Sequence, residues 1–320
     1  MTTSVAIGVD VGGTGTKGAL VDDTGTVLLR LERPTDVHAG TKGVLGLVED
    51  LLGRAAELDA HVVAAGVGAA GFVDAARGAV TFSANLVYDD PAIADALRAR
   101  TGLPVAVDND ANAAAWGERV YGTARDSDHL ALVMVGTGIG SGFVVGGRLV
   151  RGFTGAGAEL GHTVVERDGR RCKCGMRGCL EEYASGRAIA RMAREEARSE
   201  RDTAILDFAG TVDAITAKHV AQAARQYDEV ARRVMRRAGT ALGIGLANVV
   251  NVFDPEVVVV GGGVARAGEP YLGPARDELA QRTNEQRRRP VRLDVTTLGS
   301  DGGIVGAAAL AFDARSGSGP

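Results

Sequence analysis

Cysteine is scarce in this chain: of 320 residues only three are cysteine, and all three fall between Cys172 and Cys179. An odd number packed into one short stretch is poor for a disulfide framework and points to metal ligation. Long apolar runs are missing too. None approaches the roughly 18 unbroken apolar residues that a membrane-spanning helix requires. The opening MTTSVAIGVD enters a strand pattern directly, without the basic start and apolar run of a secretory signal, so a reducing cytoplasm is the expected compartment. There is no excess of positive charge: the formal net charge is -4 and the pI is near 5.8. Such a balance offers no field for phosphate backbones or anionic lipid, which removes nucleic acid and membrane from the expected partners. The pattern GxxxxGK[ST] of the P-loop is also absent, which disfavours that fold.

What is present is a large apolar fraction, 45% hydrophobic against 24% charged residues, enough to bury a sizeable core and long enough for two domains. The first segment alternates strand and turn as SVAIGVDV, GGTGTKG, ALVD, DTGT and VLLRLERP, a meander of three strands. The same grammar returns as HLALVMV, GTGIGSG, FVVG, GR and LVRG. A repeated unit implies a duplicated architecture, with a Gly-Thr loop at the tip of each first hairpin, and two such loops could grip a phosphate chain from both sides. Between the repeats, VVAAGVGAAGFVD and LPVAVDNDANAAAWGERVYG read as buried strands running into loops, the second leading into a helix from about Ala111. From Ser185 to about Val252 the pattern is helical with a break at Gly210 and Thr211, FDPEVVVVGGGV is a short apolar strand, and GGIVGAAALAF a closing helix. The expected class is α/β in two domains: a smaller one over 1–118 joined by the returning helix 302–313, a larger one over 119–301, a hinge near Gly117 to Thr123, and a flexible tail over 314–320.

Several residues in this frame carry chemistry. Gly12, Gly13, Thr14 and Lys17 follow a strand with close-approach backbone, a hydroxyl and a cation, the ingredients of a phosphate loop, although one such loop alone reads equally well as a hairpin turn. Gly136, Thr137 and Gly138 repeat the chemistry in the second half. Gly261, Gly262 and Gly263 would let a flat nucleoside lie at the carboxyl end of a strand, or form an ordinary strand-to-helix turn. Asn109 and Asp110 stand between a strand and a helix, where Asp110 could take a proton from a substrate hydroxyl or simply cap the helix. Asp10 ends the first strand beside the first loop, where it could hold Mg²⁺ through water or serve as a turn residue.

The stretch GHTVVERDGRRCKCGMRGC offers His162, Cys172, Cys174 and Cys179. One imidazole and three thiolates match a closed structural zinc site, with Gly175 and Gly178 as its flexible knuckle. Glu159 and Glu181 flank that cluster in sequence, and carboxylates held by a metal-fixed loop suit a hydroxyl-rich ligand.

With DVGGTGTKG, NDANAAAWGE, GTGIGSG and GAELGH running into CKCGMRGCLEE all present, essentially the whole chain resembles the ROK family of bacterial repressors and sugar kinases. Within it the chain is most similar to glucokinases of actinobacterial type. The resemblance implies an actin-like, hexokinase-type duplicated two-domain fold with a zinc-binding loop. It implies transfer of phosphate from ATP to the 6-hydroxyl of glucose, Asp110 as catalytic base, and sugar contacts from Gly71, Asn85, Asn109, Asp110, Glu159, His162 and Glu181. His162 would serve zinc and sugar with opposite ring nitrogens, and a homo-oligomer, dimer or tetramer, is expected. Phe72 replaces an arginine of the family's N-acetylmannosamine kinases, which favours an unsubstituted hexose. Gly15 and Thr16 intervene before Lys17, as in relatives that use polyphosphate, and Tyr88 stands where many glucokinases carry tryptophan. Another hexose or amino sugar, polyphosphate as donor, and a sugar-responsive repressor are the alternatives. For the repressor, the first strand begins by Ser4 and is expected to leave no room for a helix-turn-helix.

Overall fold

The computed structural model describes residues 3–38, 40–200, 202–283 and 291–317. The chain divides into two compact units, the first holding residues up to Leu132, Gly142–Ala158 and everything from Thr296 onward, the second Val133–Ser141 and Glu159–Val295.

In the first unit β1 (Thr3–Val11), β2 (Gly15–Asp22) and β3 (Val27–Pro34) form the meander, followed by α1 (Gly40–Glu57), β4 (Ala60–Ala69), the short hairpin β5 (Phe72–Asp74) and β6 (Ala79–Phe82), α2 (Ile93–Thr101), β7 (Val105–Asn109) and α3 (Asp110–Val120). The sheet order is β3-β2-β1-β4-β7, with β1 antiparallel to β2 and parallel to β4, and β4 parallel to β7. Alternation along β1 explains its two covers. Val5, Ile7, Val9 and Val11 join Val44, Leu47 and Leu51 of α1 and Ile93 and Leu97 of α2 in one core. Ala6 shares a second core with α10 (Gly302–Ser316), which contributes Ile304, Val305, Ala308 and Ala311. Small residues set how near α10 lies: a Cβ on Gly66 would fall 1.8 Å from the Ala307 carbonyl oxygen. Helix α10 continues through Ser316, while Ser318–Pro320 of the expected tail lie outside the described residues.

The second repeat supplies β8 (Leu130–Val135), β9 (Ile139–Val145) and β10 (Arg148–Leu149), and the order β10-β9-β8-β11-β12 mirrors that of the first sheet, with β11 (Val257–Gly261) parallel to β12 (Arg292–Val295). The helical stretch after Ser185 resolves into α5 (Gly186–Ser199), α6 (Ala204–Ala209), α7 (Ala217–Arg225) and α8 (Glu229–Phe253), preceded by the single turn α4 (Glu181–Ala184). Besides the break at Gly210, Thr203 and Asp228 start new helices as N-caps, their side chains accepting from Ile205 and Ala231 amides. Helix α9 (Glu269–Thr283) packs against α8, where Gly239 and Gly243 admit its backbone. No described helix is long and apolar enough to cross a membrane.

Candidate active site

Strand β1 delivers Asp10 to its carboxyl end, and the register sets Lys17 of β2 directly across. Burial pushes the Asp10 carboxyl above its ordinary range, opposed by the Lys17 charge. A Cβ on Gly303 would lie 2.5 Å from Asp10 Oδ2, so the carboxylate rests against the start of α10. In the loop between β1 and β2 the Gly12 amide donates to the Gly15 carbonyl at 3.1 Å. Thr35 ties the loop down: its hydroxyl donates to the Gly12 carbonyl at 2.7 Å and its amide to the Thr14 carbonyl at 3.3 Å. Nothing lies within 4 Å of where a Gly13 Cβ would stand, so the loop is open at that point.

At the β7–α3 junction the two candidate caps separate. Asn109 Oδ1 accepts the amides of Ala111 at 2.9 Å and Asn112 at 3.1 Å, which makes Asn109 the N-cap of α3. Its Nδ2 donates to the Gly71 carbonyl at 3.0 Å. Gly71 itself has φ 138°, and a Cβ there would stand 2.3 Å from the Phe82 carbonyl oxygen. Asp110 is the first helical residue, its Oδ1 also accepting from the Ala111 amide at 2.9 Å. The Tyr88 hydroxyl donates to the Ala70 carbonyl at 3.3 Å, and burial together with the Asp110 and Asp10 charges holds it well above the ordinary phenol range. Asn85 lies on the exposed loop leading to Tyr88.

Asp108 escaped the sequence reading. Its buried carboxylate accepts from the Asn109 amide at 2.8 Å, Asn112 Nδ2 at 2.9 Å and Arg151 Nε at 2.7 Å. This network fixes the strand end that carries Asn109 and Asp110.

In the second unit the predicted metal ligands converge. One ligand atom each from His162, Cys172, Cys174 and Cys179 lies within 4.8 Å of the others. Cys174 and Cys179 sulfurs are 3.6 Å apart, and Cys172 Sγ is 3.7 Å from His162 Nδ1. Tetrahedral zinc with Zn–S bonds of about 2.3 Å needs sulfurs about 3.7 Å apart, so the donor set fits in both chemistry and span. The loop is shaped by bridges between Arg171 and Arg177 and between Val164 and Cys179. The other ring nitrogen of His162, Nε2, faces Glu159 Oε2 at 3.9 Å. Burial pushes the Glu159 carboxyl up; the neighbouring His162 lowers it and Glu181 raises it. Glu181 Oε2 accepts the Ile139 amide at 2.9 Å, its Oε1 pairs with Arg187, and a Cβ on Gly138 would fall 2.3 Å from Oε2.

A cavity of about 770 Å³ opens in the same unit, and Gly136, Thr137 and Gly263 line it. Gly261 is buried at the end of β11, and Gly262 packs on β8, where a Cβ would meet the Val135 carbonyl oxygen at 2.4 Å. Of the triple glycine, only Gly263 therefore faces the cavity. Ala190, Ile215, Ala221, Val264 and Met235 give it apolar walls. Arg187, Arg194, Lys218, Arg225 and Arg266 make it cationic, and the sequence reading singled out none of them.

The ROK family model matches residues 6–314. The chain belongs to the ROK family. It is 39% identical over 313 residues to a glucokinase of Streptomyces coelicolor, covering 96% of this chain and 97% of that one. A solved ROK family glucokinase from Streptomyces griseus, in complex with glucose and AMPPNP, superimposes with a TM-score of 0.84 at 39% identity, covering 97% of this chain and 99% of that one. The xylose repressor of Caldicellulosiruptor bescii is 30% identical over 264 residues, covering 82% of this chain and 66% of its own length. The fold is thus the actin-like, hexokinase-type one, and its duplication is written in the matching strand orders of the two sheets.

Proposed function

We propose that the chain is a glucokinase, transferring the terminal phosphoryl group of ATP to the 6-hydroxyl of glucose to give glucose 6-phosphate and ADP. The observation that carries this reading is the division of labour at the β7–α3 junction. Asn109 holds the two amides that cap the helix, so the cap does not depend on Asp110, whose carboxylate stands at the carboxyl end of a parallel strand, where open α/β sheets bind their ligands. In that chemistry the 6-hydroxyl gives its proton to Asp110 as its oxygen attacks the terminal phosphorus. The bond between that phosphorus and the bridging oxygen breaks, and ADP leaves with the electron pair.

The hexose hydroxyls are read by Gly71, Asn85, Asn109, Asp110, Glu159, His162 Nε2 and Glu181. Supporting this, His162 turns Nδ1 toward Cys172 and Nε2 toward Glu159, so metal and sugar use opposite nitrogens. His162, Cys172, Cys174 and Cys179 would hold zinc with four protein ligands, so the metal would shape the loop and not touch substrate. Gly12, Gly13, Thr14, Lys17, Gly136, Thr137 and Gly138 serve the phosphates. Asp10, one carboxylate beside the first loop, would hold magnesium through its waters, and an ion there would supply positive charge to the phosphates.

ATP is ranked above polyphosphate because the cavity that includes Gly263 joins cationic side chains to apolar walls, which a nucleoside uses and polyphosphate does not. A cytoplasmic homo-oligomer of two or four copies belongs to the same reading, and light scattering with cell fractionation checks it. A coupled assay over glucose, mannose, fructose and N-acetyl sugars, with ATP and polyphosphate as donors, tests the function. Glucose with ATP should give the highest kcat/KM; preference for polyphosphate or another sugar would overturn that part of the reading.

A further inference from the structure

Glu181 is held on three sides. Its Oε2 takes the Ile139 amide at the exit of the 136–138 loop, a Cβ on Gly138 would stand 2.3 Å from that same oxygen, and Oε1 pairs with Arg187. Arg187 in turn lines the cationic cavity. The start of α5 is pinned to the same loop, the Gly186 amide donating to the Gly136 carbonyl at 2.9 Å and the Arg187 amide to the Thr137 carbonyl at 3.4 Å. Ser185 caps that helix through the Ala188 amide. The backbone on both sides is therefore tied by hydrogen bonds, while the guanidinium stands on a chain of single bonds. It has a carboxylate on one side and a cavity fit for phosphates on the other.

We propose that Arg187 is a positioning residue that couples occupancy of the cavity to the readiness of Glu181. This rests on the kinase reading. Without donor, the guanidinium occupies Glu181 Oε1, one of the acceptors a sugar hydroxyl would use. A donor phosphate is a better bidentate partner for arginine and draws the fork away. Glu181 keeps its Ile139 contact through Oε2 while Oε1 becomes free to accept from the hexose. Donor and hexose then bind cooperatively, and by linkage each tightens the other equally.

The test is calorimetric titration of the zinc-loaded full chain with glucose, with and without a saturating non-hydrolysable ATP analogue. Wild type should bind glucose about fivefold or more tighter with the analogue, within the usual range of such coupling. In Arg187→Met the factor should fall to within about twofold of unity, and glucose alone should bind at least as tightly as in wild type. Arg187→Lys should be intermediate, because lysine carries the charge without the fork. That conservative variant keeps the test open should the methionine variant fold poorly, and zinc content and Tm verify both. A purely structural role would shift Tm and leave the coupling factor in place. Full coupling in Arg187→Met, or no coupling in wild type, would overturn the proposal and leave the kinase reading standing. Failure of wild type to bind glucose under either condition would overturn both.

Discussion

The two glycine loops sit at equivalent places in two sheets of matching strand order and differ in the charge around them. The first, between β1 and β2, is tied down by Thr35 and has charge of its own, with Asp10 and Lys17 facing across the ladder. The second, between β8 and β9, has no ionisable residue from Gly136 to Gly142 and borrows its charge from Glu181 and Arg187, which lie past the zinc loop in sequence. Their glycines differ accordingly. The space beside Gly13 is open, whereas the space beside Gly138 is filled by a carboxylate. The two hairpins thus share one topology, while the charge beside the first lies on its own strands and the charge beside the second lies beyond the cysteine cluster.

The severest way to break this contrast is to remove the metal. Cys174→Ser should lose zinc and, because Glu181 follows Cys179 by two residues, lower kcat/KM on the order of 10³-fold, beyond the roughly 10- to 100-fold typical of outer-sphere partners. Elemental analysis and the coupled assay read the two together; zinc lost with glucose affinity intact would detach the second loop from its support. Next in size, Gly138→Ala should displace Glu181 and weaken glucose affinity about 10- to 100-fold, the worth of a hydrogen bond to a charged group. Gly13→Ala should instead raise the KM for ATP about tenfold while glucose affinity and Tm stay put, because its Cβ meets no protein atom. Equal effects of both alanines on glucose would erase the distinction.

The smallest effect is one of pH. Glu159 carries a carboxyl raised by burial, so it loses its charge earlier than an ordinary glutamate as pH falls, and with it an acceptor for sugar hydroxyls. Glucose affinity should weaken about two- to fivefold between pH 7.5 and 5, and Glu159→Gln should flatten that slope. The linkage for folding has the opposite sign: a raised carboxyl favours the folded state below its unfolded value and loses that contribution as pH rises through the folded one. A glucose affinity that strengthened toward acid would contradict the assignment.

What the sequence revealed follows from the range of the forces involved. The duplicated meander, the ligands gathered around Cys172 and the Asn109-Asp110 step are local patterns, and periodicity and spacing suffice to see them. Arg151 and Asp108 are 43 positions apart, and each alone reads as a strand-end charge; only the fold brings them to 2.7 Å. Arg187 reads as one more polar residue in an amphipathic helix, and its partner and cavity appear only with the tertiary structure. Composition does not distinguish a glycine that packs on β8, as Gly262 does, from one that faces a cavity, as Gly263 does. Breaks at Thr203 and Asp228 were hidden because their capping hydrogen bonds outweigh the helical pattern around them.

The central claim is that Asp110 does chemistry while Asn109 does the capping, and Asp110→Asn tests it most directly. With the cap untouched, Tm should hold and glucose affinity should change little, because an amide still reaches the hydroxyl. As the amide cannot accept the 6-hydroxyl proton, kcat should fall on the order of 10²- to 10⁴-fold, roughly 3 to 5 kcal/mol of barrier. A folded Asp110→Asn protein that turns over glucose within a few-fold of wild type would contradict the account and leave the reaction without its base.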